Sequence, residues 1–223
     1  MRVAQSYEIR IGDEVEARLP GLACFSYRFT GARVGTANRK IESLRDRVLA
    51  SARERVQNAM DVRRLPSLAA FSRAFPELVR SARKPWLDEL YRTVSRRDPF
   101  PVVNDALDLG RLLALHYCLP ISFLDVSTLA PPLIVRIAPP GAVLKTPTDK
   151  MVDLADLPVL WDSAGPVGPP LFESLRAMPT RRTTDLLLVA FDPPVEPRLD
   201  EAELRSRSAN WLASLLGSRP VEG

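Results

Sequence analysis

The sequence contains a single histidine, His116, and two cysteines, Cys24 and Cys118, in 223 residues. The cysteines are far apart and in no ligand spacing, so a cysteine/histidine zinc site is close to excluded and no metal is expected. A serine–histidine–acid triad would have to use His116. Glycine is scarce, at 10 residues, and neither GxxxxGK[ST] nor GxGxxG occurs. Phosphate-cradling glycine loops are therefore not expected, nor is a nucleotide cofactor. No apolar run approaches the roughly 18–20 residues of a membrane span. Residues 1–11 mix polar and apolar types, so no signal peptide is expected. With two unpaired-looking cysteines, the expected location is the cytoplasm.

Proline, by contrast, is abundant. The 21 prolines make up about 9% of the chain, where roughly 5% is usual. This argues for stiff loops and against a helical bundle. Hydrophobic residues at 46% and charged residues at 26% suit a globular protein that needs no disulfide or metal to fold. The length suits one domain. The net charge of +4 is uneven: residues 39–97 hold 15 Lys/Arg against 7 Asp/Glu, a surplus of eight. A basic segment of this kind can attract a polyanion such as RNA, or can be a solvated helical face in an arginine-rich protein.

Periodicity places strands at 3–11 and 22–29, starting a sheet, with a short helical turn near 14–19. Ile41, Leu44, Val48, Ala52 and Val56 recur at helical spacing behind Asn38, a plausible N-cap. Further helices are expected at 67–75, after Lys84-Pro85, and at 102–117, the last buried on more than one face. Residues 121–126 read as short and extended, 132–138 as a strand, 142–145 as its hairpin return, and 159–162 as another strand. Residues 163–170, with three prolines and two glycines, read as loop. "DLLLVAF" at 185–191 is the strongest strand, and 200–216 closes the chain as an amphipathic helix. The pattern is α+β, with a mixed, barrel-like sheet core packed by a central helix and flanking N- and C-terminal helices.

At the central helix, "FPVVNDALDLGRLLALHYCLPISFLDVSTL" resembles the core of the B3/B4-type domain of the phenylalanyl-tRNA synthetase beta subunit. Asn104, Asp108, Pro120 and Asp125 stand at positions typical of that family. "VLWDSAGPV" resembles its strand-Asp-Gly-Pro turn, and "TRRTTDLLLVAF" its Thr-Thr-Asp strand, with Thr183, Thr184 and Asp185 matching. "SRAFPELVRSARKPWLDELYRTV" resembles a segment of free-standing members. The resemblance divides the chain into a basic extension (1–97), a best-matching core (98–195) and a C-terminal helix (196–223). It implies an editing site that hydrolyses a wrongly attached amino acid from tRNA. The chain departs from the family pattern at Ser122, where a pocket histidine is usual, and at Arg111, where an Asn is usual. It departs again at "GPPLFESLRAMP", which replaces a glycine-rich loop. Pro169-Pro170 cannot imitate that loop's close approach to a ligand.

These positions define the candidate site. Asp108 and Glu173 are the candidate acid/base groups. Asn104, Arg111, Ser122, Asp125, Thr183 and Thr184 are the candidate substrate-binding groups, with Arg111 able to grip a carboxylate or phosphate. Each has a structural alternative: Asp108 pairing with Arg111 at i,i+3, Asp125 capping a turn, Asn104 acting as an N-cap, Glu173 solvated, and a structural hydroxyl at Thr183 or Thr184. Ser122 lacks an obvious base, because His116 is expected at the helix surface. Trp86, Trp161 and Trp211 read as core anchors rather than base-stacking platforms. Three functions follow: a trans-acting aminoacyl-tRNA deacylase, an aminoacyl-tRNA-dependent transferase to a small acceptor, or a non-catalytic module binding tRNA, an amino acid or a protein. A pocket filled by side chains favours the third. The expected partners are tRNA or aminoacyl-tRNA and a small amino-acid-like ligand.

Overall fold

The computed structural model describes residues 7–36, 38–80 and 84–221. Strand β1 (Ile9–Ile11) and helix α1 (Asp13–Arg18) precede β2 (Ala23–Thr30). Helices α2 (Arg39–Ala59), α3 (Pro66–Ala74), α4 (Glu77–Arg80), α5 (Trp86–Arg96) and α6 (Asp105–Tyr117) follow. Then come β3 (Ile121–Asp125), β4 (Leu133–Ile137), β5 (Val143–Lys145), β6 (Met151–Asp153), β7 (Pro158–Asp162), β8 (Gly165–Pro170) and β9 (Asp185–Asp192). Helix α7 (Glu201–Leu216) and β10 (Arg219–Pro220) complete the order.

The strands form three sheets, ordered β10-β2-β9-β3, β1-β4-β7-β8 and β5-β6. The α+β class is as expected, but the barrel is not found: none of the three sheets closes on itself. The reason lies in β9, which is apolar on both faces. Leu186, Leu188 and Ala190 pack with Phe29, Ile121, Phe123 and the buried sides of α2, α5, α6 and α7. Leu187, Val189 and Phe191 pack with Val135, Val159, Leu160 and Val167 of the second sheet. Alternation along one strand thus builds two cores, and the layers run helices, sheet, sheet.

Helix α2 begins where the Lys40 N–H donates to Asn38 Oδ1 (3.0 Å). It turns Ile41, Leu44, Val48, Ala52 and Val56 inward, and ends at Met60 in the left-handed region. Helix α6 is buried from Asp105 to Leu115, and so reads as apolar on more than one face. Arg55 of α2 holds its far end, donating to the carbonyls of Leu115 (2.6 Å) and His116 (3.1 Å). A cation there offsets the negative end of the helix.

Three expectations need correction, and the last strand was not foreseen. The first strand pairs with β4 in parallel, and β2 pairs with β9, so they join different sheets; residues 3–6 of the expected first strand lie outside the described residues. Residues 143–145 return against β6, not against β4. Residues 165–170 are a strand rather than a loop, paired with β7. That strand lies at a sheet edge, where proline's missing N–H leaves no ladder bond broken. Strand β10 carries too little pattern to be seen in sequence.

Candidate functional site

The expected site residues lie at the start of α6, on β3, and on the segment 171–184 that leads into β9. Asn104 caps α6, its Oδ1 accepting from the Leu107 N–H (3.0 Å). Its Nδ2 also donates to the Pro179 carbonyl (2.8 Å). One side chain therefore starts the helix and ties the later segment to it.

Arg111, two turns further on, is 8% exposed. Its Nε and Nη2 donate to the two Glu173 oxygens (3.1 and 2.6 Å), and its Nη1 donates to the Pro101 carbonyl (2.7 Å). Burial works against the charge, and the Glu173 carboxylate more than offsets it, holding the Arg111 pKa above its ordinary value. Glu173 is therefore neither solvated nor free to act as a base. The pairing of Arg111 with Asp108 is not formed either.

Asp108 is 4% exposed. Its Oδ1 accepts from the Val103 N–H (3.1 Å). Burial pushes its pKa up to about 6, while the Val103 bond and the Arg111 charge pull the other way. Asp105, in the same turn, accepts from the Gly35 N–H (3.1 Å), and burial raises its pKa too. A side chain at Gly35 would collide with that carboxylate, a Cβ meeting Asp105 Oδ2 at 2.6 Å.

Asp125 closes β3. Its Oδ1 accepts from the N–H (2.9 Å) and hydroxyl (2.6 Å) of Ser127. Its Oδ2 accepts a short bond from the Thr183 hydroxyl, and its N–H donates to the Ala177 carbonyl (2.9 Å). Thr183 is buried and also accepts from the Thr180 N–H (2.8 Å). Thr184 is exposed and donates to Asp185 Oδ2 (3.0 Å), so it stands outside the site.

Ser122 is 5% exposed and its Oγ has no hydrogen-bond partner. With Leu107, Phe123, Leu124, Pro169, Glu173, Ser174 and Met178 it lines a cavity of about 10 Å³. That is the scale of a single water molecule. His116 does not line it. The histidine sits at the other end of α6, ring to ring with Tyr117 (4.8 Å) and Trp211 (6.2 Å). Burial and the nearby Arg207 lower its pKa.

The four anchors share one role. Arg111, Asn104, the Asp125 side chain and the Asp125 N–H each hold a different point of the segment 173–183, at Glu173, Pro179, Thr183 and Ala177. The segment 173–183 is thereby fastened into the centre as a plug. Sequence reasoning missed a fifth fastening. The fully buried Asp162 carboxylate receives both Nη1 (3.0 Å) and Nη2 (3.1 Å) of Arg176, along with the N–H groups of Ala130 and Ala164. Asp162 lay within a quoted motif, but nothing in sequence pointed to its partner. Among the described residues no cluster of three His, Cys, Asp or Glu forms, and no helix is long and apolar enough to cross a membrane.

The tryptophans are partly buried and pack against the cores, Trp86 and Trp211 against the helical one and Trp161 against the other. Trp86 donates its indole N–H to the Pro170 carbonyl (3.2 Å), and the Arg136 guanidinium lies 4.1 Å from the Trp161 ring centre.

No family model matches the chain, and no curated protein matches it. Among solved structures, the chain is similar to an N-terminal fragment of the phenylalanyl-tRNA synthetase beta-subunit from Pyrococcus horikoshii, with a TM-score of 0.44 and 11% sequence identity. The alignment covers 97% of this chain and 52% of that one, so the chain spans about half the length of the fragment.

Proposed function

We propose that this chain is a non-catalytic, tRNA-binding module whose resemblance to an editing domain is one of scaffold alone. The observation that carries the non-catalytic part is the closed centre. The cavity beside Ser122 is about 10 Å³, against the ~300 Å³ or more of ordinary ligand pockets. Its acid, Glu173, is spent on Arg111. A transferase would need that same arginine to grip its acceptor.

The tRNA part rests on the resemblance and on exposed cations. Arg39, Lys40 and Arg47 of α2, and Arg96 and Arg97 at the end of α5, are exposed. Arg53 and Arg97 line an open groove of about 310 Å³ with Gln57 and Ser95, and the Arg53 Nε there is buried without a partner. The helix ends beside this groove favour cations, so phosphate contact depends on the arginine side chains themselves.

The hydrolase reading keeps one supporting observation, a buried Asp108 whose pKa of about 6 lies in the range useful to an acid/base group. One experiment separates the two readings. The protein is titrated with tRNA across a salt series and incubated with a panel of labelled aminoacyl-tRNAs. Binding that weakens steeply with salt is expected, because phosphate contacts release counterions. Arg97→Gln should reduce the salt slope by about one. Ester loss should run at spontaneous rates throughout the panel. Accelerated loss of one aminoacyl ester, removed by Asp108→Asn, would establish the hydrolase instead. Salt-independent or absent tRNA binding would remove the RNA reading.

A further inference from the structure

A second cavity, separate from the plugged centre, lies where the start of α5 meets the end of β8. The junction is tied by two bonds: the Trp86 N–H donates to the Leu171 carbonyl (3.0 Å) and its indole N–H to the Pro170 carbonyl (3.2 Å). The cavity has a volume of about 150 Å³. An apolar cavity of that size holds one benzene-sized group. Leu68, Phe71, Leu87 and Leu171 form its floor, and all four are buried. The lining is therefore apolar below, and its charges lie above.

Those charges are of both signs. Arg63 and Lys84 line the cavity with Asp88 and Arg92, and both Arg63 and Lys84 are exposed. Their pairs with Asp61 (2.8 Å) and Glu89 (3.4 Å) are surface ion pairs, which contribute little and exchange readily for a bound carboxylate. The Asp88 Oδ2 accepts from Arg92 Nε (3.2 Å). The Asp88 Oδ1 is buried and bonded to nothing. A carboxylate oxygen shielded from water and left unpaired is costly, and a cationic donor relieves that cost. Asp88 lines the cavity, and the torsion that orients an aspartate carboxyl plane is soft; rotation about it is the movement that binding requires to bring Oδ1 to a bound group. An apolar floor, an unsatisfied acceptor and a cationic rim together match a zwitterion with one apolar side chain.

We propose that this cavity binds a free α-amino acid whose side chain is of leucine, methionine or phenylalanine size. The side chain fills the floor, the ammonium donates to Asp88, and the carboxylate meets Arg63 and Lys84. The inference depends neither on tRNA binding nor on the plugged centre.

Calorimetric titration of the full chain tests it. L-leucine, L-methionine and L-phenylalanine are compared with 4-methylpentanoate, which lacks the ammonium, and 3-methylbutylamine, which lacks the carboxylate. At least one amino acid should bind saturably with Kd below about 1 mM. Both single-headed analogues should bind about tenfold more weakly or worse. Asp88→Asn should weaken the amino acid about tenfold while leaving 4-methylpentanoate unchanged. Ser72→Phe, which fills the cavity from its half-buried flank, should abolish amino-acid binding and leave tRNA binding intact. Three results would each overturn the proposal: no saturable amino-acid binding to the wild type, 4-methylpentanoate binding as tightly as leucine, or leucine affinity unaffected by Asp88→Asn.

Discussion

Arg111 illustrates how a residue chosen for ligand recognition can be consumed internally. Its fork meets both Glu173 oxygens, the bidentate geometry that would suit a bound carboxylate. Removing one partner leaves the other charged and buried, so Arg111→Met or Glu173→Gln should each cost about 3–5 kcal/mol in urea unfolding. The double replacement Arg111→Met/Glu173→Leu should recover much of that loss. A ligand-gripping arginine would instead tolerate loss of Glu173 with little change in stability. Asp108 makes a pH-dependent prediction at the same scale. Its folded pKa, about 6, lies above the ordinary 3.8, so between those values the folded state holds more protons than the unfolded one. This contribution to stability is full below about pH 4 and is lost as pH rises through 6. Arg111 and Arg45 pull the pKa down, and Asp105 pushes it up. Asp108→Asn should therefore gain stability relative to wild type on going from pH 4 to pH 7, on the order of 2 kcal/mol. Part of the wild-type slope should survive through Asp105, whose pKa is also raised. Thermal unfolding at a series of pH values reads this directly, and parallel curves for the two proteins would contradict it.

Among the elements, β8 departs furthest from its sequence pattern. "GPVGPP" reads as loop because three prolines cannot donate, yet at a sheet edge they need not. Gly168 is what makes the path feasible. Its φ is +122°, and a Cβ there would lie 2.7 Å from the Phe172 carbonyl oxygen and 3.1 Å from the Ser174 nitrogen. Both are backbone atoms and cannot swing aside, so Gly168→Ala should be strongly destabilising, by about 2 kcal/mol or more. A melting temperature within a degree of wild type would show that this hairpin relaxes freely. The long helices were far easier to read. The stripe of α2 and its Asn38 cap, and the buried pattern of α6 behind Asn104, are local properties of the chain. Strands β5 and β6 were harder, because three residues carry no reliable alternation and their pairing is settled by what lies nearby.

For the whole molecule, the decisive feature is that β9 serves two cores at once. Helices cover one face of its sheet and a second sheet covers the other, which leaves no reason for either sheet to curl closed. The exposed cations of residues 39–97 include Arg39, Lys40 and Arg47 of α2, Arg63 and Arg64 beyond it, and Arg96 and Arg97 at the end of α5. The plugged centre lies between α6, β3 and the segment 171–184, and the second cavity lies between α5 and β8. Centre and cavity thus occupy different places, and each feature answers to its own experiment: ester hydrolysis for the centre, amino-acid titration for the cavity, salt titration for the charge.

The sequence by itself determined the α+β class, the caps and stripes of α2 and α6, the existence of strand β9, the uneven charge and the scarcity of metal ligands. These follow from local spacing and composition, which a chain carries before it folds. Only the tertiary structure decided the partners. Asn104 reaches Pro179 across 75 residues, Arg111 reaches Glu173 across 62, and Thr183 reaches Asp125 across 58. A side chain's chemistry is written in its residue type, but whether that chemistry is offered to a ligand or satisfied within the protein depends on which distant segment packs against it.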